Sequence, residues 1–260
     1  MKFARNIMIV CVLASAPMSA WAMHPLITDD TETQGTGKYQ IEMNAQCALD
    51  KTATAGIETK VRQGEFEAAL SYGVNERTDI IVGLPYERGQ IRTGGVTSRD
   101  RGLADMSVEA KWRFREEGGF SVALKPGMTL PSGDDEKGRG AGKVGYSAFL
   151  IASKEAKPWA VFFNLGYIRN DNKESTVDER RDLWHVSLAA SRDLSESIKL
   201  VGNIGMESNV DKGSHTKPVF LLGGLVFGVT DHFDVDLGLK AGLNDAEMDY
   251  TVLIGSAIRF

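Results

Sequence analysis

Three observations predict an all-β fold, a transmembrane antiparallel up-and-down β-barrel of twelve strands. Apolar and polar residues alternate with a period of two in twelve separate segments. The links between segments alternate between short and long, as do the turns and outer loops of membrane barrels. Aromatic residues on the apolar side collect at the segment ends. Composition agrees. The chain of 260 residues is 42% hydrophobic and 25% charged, which excludes a disordered chain or a collagen. Two cysteines, Cys11 and Cys47, supply no disulfide framework. After residue 23 no apolar run approaches the ~20 residues of a membrane helix. A net charge of -5 gives no reason to expect nucleic acid as a partner.

The first 22 residues read as a secretory signal peptide. Lys2 and Arg5 form a positive start, residues 7–16 are apolar but too short to span a bilayer, and Ala20-Trp21-Ala22 is a small-x-small cleavage site. Cleavage leaves Cys47 as a lone thiol, expected to be buried or lipid-facing rather than reactive. Residues 23–37 are polar and unpatterned. They read as a loose periplasmic tail, the preferred alternative, or as a small plug entering the pore. Residues 38–260 form the barrel.

The segments are 41–49, 66–74, 80–86, 106–114, 120–130, 144–152, 159–167, 184–190, 198–206, 219–229, 233–243 and 250–260. In the first, Ile41, Met43, Ala45, Cys47 and Leu49 share one side and Glu42, Asn44 and Gln46 the other. A strand with two different faces produces this period. The second puts Phe66, Ala68, Leu70, Tyr72 and Val74 together, and the third Ile80, Val82, Leu84 and Tyr86. The fourth groups Met106, Val108, Ala110, Trp112 and Phe114. The pattern continues to the last, with Tyr250, Val252, Ile254, Ser256, Ile258 and Phe260. None of the twelve apolar registers contains a charged residue. Charges fall instead on the interleaved positions: Glu42, Glu67, Glu109, Lys111, Arg113, Lys125, Lys199, Asp234, Asp236, Lys240 and Arg259. These, with His185, are expected to line the lumen.

A soluble β-sandwich also alternates, but it turns its charges to water and packs its apolar faces together. The links decide for a barrel. Short ones fall at 75–79, 115–119, 153–158, 191–197 and 230–232, which become periplasmic turns. Longer ones fall at 50–65, 87–105, 131–143, 168–183 and 207–218, with a shorter one at 244–249, and these become extracellular loops. Tyr72, Trp112, Phe114, Phe120, Trp159, Phe227, Phe233 and Phe260 lie at the short-turn ends. Tyr86, Tyr167, Trp184 and Tyr250 lie at the long-loop ends. Such rings form the girdles at the two lipid–water interfaces. Closure follows from hydrogen bonding: no water satisfies a free sheet edge inside hydrocarbon.

Several blocks resemble one family. Gly102-Leu103-Ala104-Asp105 followed by Glu109, Lys111, Trp112 and Phe114 is one. Leu130-Pro131-Ser132-Gly133-Asp134 with Gly140-Ala141-Gly142 is another. Asn164-Leu165-Gly166-Tyr167, and His24-Pro25-Leu26-Ile27-Thr28-Asp29-Asp30 with Thr33-Gln34-Gly35, complete the set. Together they resemble the outer-membrane barrels named after the meta pathway of phenol degradation, and the resemblance spans essentially the whole mature chain. It implies a barrel in the bacterial outer membrane and passage of small organic, including aromatic, solutes. It supplies no catalytic residues. The last strand, ending at Phe260, resembles the signal by which the barrel assembly machinery recognises its clients. Outer-membrane lipid, lipopolysaccharide and a small-molecule solute are the other expected partners.

The mixed interior charges admit two readings: an internal salt-bridge network that fills the lumen, or a polar pathway that selects solutes. A channel or transporter is the preferred function, a structural or adhesive barrel with a filled lumen the alternative. A lipid hydrolase is the third. His185 and Ser187 lie two apart on one strand, a spacing that lets an imidazole take a serine proton if a third group orients it. The motif that follows the serine in the outer-membrane phospholipase is missing, so no enzyme is expected. His24, His215 and His232 have no metal-ligand spacing and read as solvated. The acidic run Asp134, Asp135 and Glu136 reads as a charged loop, with divalent cations or lipopolysaccharide as the functional alternative. Gly138-Arg139-Gly140-Ala141-Gly142 lacks the strand-to-helix context of a phosphate loop. No cofactor or metal is expected.

Overall fold

The structure, a computed structural model, describes residues 24–54, 56–173 and 179–260. The expected signal peptide lies outside the described residues. Among the described residues thirteen strands form: β1 (Tyr39–Thr54), β2 (Ile57–Asn75), β3 (Thr78–Thr93), β4 (Val96–Leu103), β5 (Met106–Glu117), β6 (Phe120–Leu130), β7 (Gly145–Ala156), β8 (Trp159–Arg169), β9 (Asp182–Asp193), β10 (Ile198–Glu207), β11 (Val219–Thr230), β12 (Phe233–Gly242) and β13 (Tyr250–Arg259). All pair antiparallel with their neighbours. β1 pairs with β13 as well as β2, and this contact closes a barrel of twelve strands with β4 as an addition.

The twelve expected segments each fall on a barrel strand. β8 shows why. Trp159, Val161, Phe163, Leu165 and Tyr167 point out, and Phe162, Asn164, Gly166 and Ile168 point in. Leu165 is 48% exposed while Asn164 is 2% exposed. The apolar row is thus the outside of the molecule, and the polar row is inside, the inverse of a water-soluble core. Cys47 is on the same outer side. Tyr39 stacks on Phe260 with centroids 5.2 Å apart, which ties the first strand to the last at the short-turn rim. Arg192 covers the Trp159 ring at 5.1 Å at the same end, and Lys217 covers Trp184 at 5.2 Å at the other. Both are girdle rings with a cation at the water edge.

Two expected loops are corrected. Residues 50–54 and 57–65 are the continuation of β1 and β2, paired as far as Thr54 with Ile57. Within 87–105, β3 continues to Thr93 and turns through Gly94 and Gly95 into β4. Both glycines have positive φ, which a two-residue hairpin turn requires. Only the Thr78–Gly83 half of β3 pairs with β5; the other half pairs with β4. β1 to β4 therefore stand above the rest of the wall at the long-loop end. Water bathes both faces there, so the strands persist without an apolar row, and period-two hydropathy has nothing to report.

Candidate functional site

The lumen is occupied by the chain's own N-terminal segment. Residues 24–36 precede β1, yet His24, Leu26, Thr28, Asp29, Asp30 and Thr31 are buried. The preferred expectation of a loose tail is corrected for these residues: they find inside the barrel the polar partners that an unpatterned sequence does not advertise.

The segment enters beside β2. Gly37 N–H donates to Gly73 O at 2.8 Å, and Gly73 N–H donates to Lys38 O at 2.9 Å. A Cβ on Gly73 would sit 1.9 Å from Gly35 O, so this approach requires glycine. Glu76, in the turn between β2 and β3, accepts from the Thr36 hydroxyl at 2.7 Å and from its N–H at 3.2 Å. The Thr36 hydroxyl and then its N–H hold the Glu76 carboxyl below its ordinary range. Further along the segment, Gln34 N–H donates to Asp79 on β3 at 3.0 Å. Thr31 meets Ser121 on β6, and its N–H donates to Ser153 on β7.

Asp29 carries the strongest contacts. Lys111 on β5 lies 2.8 Å from Oδ1, and Lys125 on β6 lies 2.7 Å from Oδ2. Lys125 also lies 3.5 Å from Glu109, and Lys111 lies 3.8 Å from Asp30. Both lysines are 1% exposed. A buried ammonium is tolerated only with such pairing. With its amide nitrogen turned to the Asp29 carbonyl, Asn164 donates there at 2.9 Å and accepts from Asp29 N–H at 2.7 Å. Beside it, a Cβ on Gly166 would strike the Phe149 ring. The Asn-Leu-Gly-Tyr block thus holds Asp29 and makes room for Phe149, while Tyr167 donates to Asp182 at 2.5 Å.

Beyond Asp29 the segment crosses to the opposite wall. Thr28 donates to Ser187 on β9 at 2.7 Å and accepts from Asn203 on β10 at 2.7 Å. Leu26 packs among Phe162, Ala189, Val201, Phe220, Leu222 and Leu253, an apolar patch on the inner wall. His24 reaches Asp236 on β12. His24 is therefore a buried residue hydrogen-bonded to Asp236 and not a solvated one. His215 and His232 are exposed.

The segment divides the interior. At the short-turn end lies a cavity of about 1090 Å³, lined among others by His24, Gln34, Gln40, Glu42, Lys199 and Asp234. At the long-loop end lies one of about 200 Å³, bounded by Gln46, Val61, Glu65, Ile168, Leu183 and Arg139. Ile168 and Leu183 belong to an inward apolar cluster with Ala123, Phe149, Ile151 and Val210. Arg139, from the 131–144 loop, bonds Glu87 at 2.6 Å and meets Asp100 on β4, so this loop folds over the chamber.

The remaining candidates scatter. Glu42, Glu67, Glu109, Lys111, Lys125, His185 and Asp236 are buried inside. Lys240 pairs with Glu247 at 3.0 Å at the long-loop end, and Arg259 with Asp234 at 2.7 Å at the other. Arg113 donates to Glu76 O at 3.1 Å beside the entry of the segment. Asp134 caps a short 3-10 turn and pairs with Lys137, while Asp135 pairs with Lys173 at 2.8 Å. These pairings answer the charges of Asp134 and Asp135 within the protein. Among the described residues no group of three or more His, Cys, Asp or Glu is placed to hold a metal ion.

His185 Nε2 lies 3.0 Å from Ser187 Oγ, and its Nδ1 lies 3.5 Å from Glu207 on β10. The third group that the sequence did not reveal is therefore present. Ser187 is 3% exposed, however, and already accepts from Thr28. Neither His185 nor Ser187 borders the long-loop cavity. Ser187 anchors Thr28, and His185 lies between Ser187 and Glu207. The residues that sequence reasoning missed are Asp29 and Thr28; the clue was a pair of inward lysines answered on their own strands by Glu109 alone.

Comparison with known proteins agrees with this fold. The COG4313 outer membrane channel from Pseudomonas putida F1 superposes with a TM-score of 0.66 at 14% identity, over 89% of this chain and 98% of that one. The translocator domain of autotransporter NalP from Neisseria meningitidis gives 0.55 at 11% identity, over 88% and 91%. The KdgM porin gives 0.56 at 8% identity, over 85% and 99%. At such identities these likenesses establish the outer-membrane barrel fold. No curated protein matches the chain by sequence. The family described as "Putative MetA-pathway of phenol degradation" matches residues 25–260, from the inserted segment to the last strand, and the chain belongs to that family.

Proposed function

We propose that the protein is an outer-membrane channel for small organic solutes, with the inserted N-terminal segment as its closure. The long-loop chamber carries the proposal. Its volume of about 200 Å³ suits a molecule of about one aromatic ring, since a cavity of ~150 Å³ accepts benzene. Apolar side chains such as Val61, Ile168 and Leu183 offer a ring its faces, and Glu65, Glu87 and Arg139 offer polar groups to a hydroxyl. The family name and the channel folds above support passage of such solutes. Lumen-lining roles for Lys199, Asp234, Lys240 and Arg259 at the two mouths follow from the same proposal, as does a place in the outer membrane after export.

One observation favours a second reading, a sealed structural barrel: the segment is anchored by an ion-paired carboxylate and an apolar patch. Flux of phenol-sized solutes into proteoliposomes separates the two. Entry above the rate of empty liposomes, raised further by Asp29→Asn, supports the channel. Rates equal to empty liposomes for both proteins support the sealed barrel.

A further inference from the structure

A small void of about 10 Å³, lined by His24, Asn44, Ala45, Gln46, Glu65 and Glu67, lies between the two chambers. Gln46 and Glu65 also line the long-loop chamber, and His24 and Asn44 also line the short-turn chamber. The three spaces form one line along the inner faces of β1 and β2. The segment borders this strip at His24: it enters at Gly73, crosses to β9 and β10, and ends at β12, and the void persists beside it. A void of this size is that of about one water molecule.

The chemistry of the strip has one sign. Asn44 stands opposite Glu67 in the β1–β2 register, and Gln46 opposite Glu65. Glu42 lies one pair nearer the short-turn end. The amide nitrogens are turned to carboxylates: Gln40 donates to Glu42 at 2.6 Å, Asn44 to Glu42 at 3.4 Å and Gln46 to Glu65 at 3.0 Å. The Asn44 amide oxygen is turned the other way, over Gly255 on β13 beside His24 and Asp236. Asn44 is 7% exposed, and its Oδ1 has no hydrogen-bond partner among the described residues. The same holds for Ser107 Oγ, which lies beside Glu67 over Gly83. The inward lysines Lys111 and Lys125 lie on other strands and are drawn to Asp29 of the segment, and His24 is drawn to Asp236.

We propose that the β1–β2 strip is a permeation path for water-sized monovalent cations, open while the N-terminal segment is seated, with Glu65, Glu67 and Asn44 setting its selectivity. Carboxylates and unpartnered carbonyl oxygens replace part of a cation's hydration shell and repel anions. Organic solutes are too large for this path. The proposal therefore stands whether or not the organic-solute channel is correct.

The test is single-channel recording of the full-length protein in planar bilayers under a tenfold KCl gradient. The expected result is a small steady conductance whose reversal potential lies on the potassium side. Glu65→Gln with Glu67→Gln brings the cation-to-anion permeability ratio several-fold closer to one, and Asp134→Asn, on an exposed loop, leaves it unchanged. Heat-shifted mobility on gels confirms that each variant is a folded barrel. An electrically silent wild-type barrel overturns the proposal, as does a small level that prefers chloride. So does a selectivity that survives the double substitution in a folded barrel. Glu67→Lys supplies the converse: it abolishes the small level or turns it toward chloride.

Discussion

Asp29, seven residues beyond the expected cleavage site, lies 2.7 Å from the ammonium of Lys125, on a strand 96 residues further along the chain. Lys111 completes the arrangement on the other carboxylate oxygen. One acidic side chain thus bridges two buried cations and fixes a segment that has no secondary structure of its own.

Asp29→Ala is expected to cost about 3–5 kcal/mol, because it leaves two buried ammonium groups without their principal counter-charge. Urea unfolding in detergent, followed by heat-shifted mobility, measures this. The same variant increases solute flux if the segment is the closure.

Leu26→Ala is expected to cost about 2–5 kcal/mol, the range for emptying a packed apolar site. Leu26 is 1% exposed among Phe162, Phe220 and Leu222. The effect is expected to fall on the segment and not on the wall. Protease then cuts near residues 24–36 while the barrel stays folded.

Acid is expected to loosen the entry of the segment. Glu76 is held below its ordinary value of 4.5 by Thr36, so its contribution is complete above that value and fades as pH falls through the lower folded-state value. Amide exchange at Thr36 should therefore speed up below about pH 4.5, beyond the intrinsic trend, and Glu76→Gln should remove the extra acceleration.

Ser187→Ala is expected to remove only hydrogen bonds to Thr28 and His185, at about 1 kcal/mol each. No esterase or phospholipase turnover is expected from the parent protein. Turnover that vanishes in this variant would restore the hydrolase reading.

Leu165→Arg, in the outward row of β8, is expected to cost about 2–4 kcal/mol in a bilayer. Detergent-to-lipid refolding titrations measure it. A cost near zero would mean that this row does not face hydrocarbon.

How much was legible in the sequence depends on what surrounds each residue. Leu165 beside Asn164 is readable because lipid on one side and water on the other impose a period of two. Residues 96–103 were not readable as a strand because both faces meet water, although Gly94-Gly95 was a visible turn signal. The interleaved charges could be assigned to one side of each strand, but their partners could not. Lys111 meets its partner Asp29 82 residues away, in a stretch with no period to read. The Glu207 beside His185 was hidden for the same reason, since register between strands is set by pairing and not by spacing along one strand.

The central claim is that the N-terminal segment sits inside the barrel. Maleimide labelling of Thr28→Cys in a Cys47→Ala background tests it most directly, because Thr28 is 1% exposed and Thr36 is exposed. The account predicts that the folded barrel protects position 28 and releases it on heating, while Thr36→Cys reacts at once. Equal, immediate labelling at both positions would contradict it.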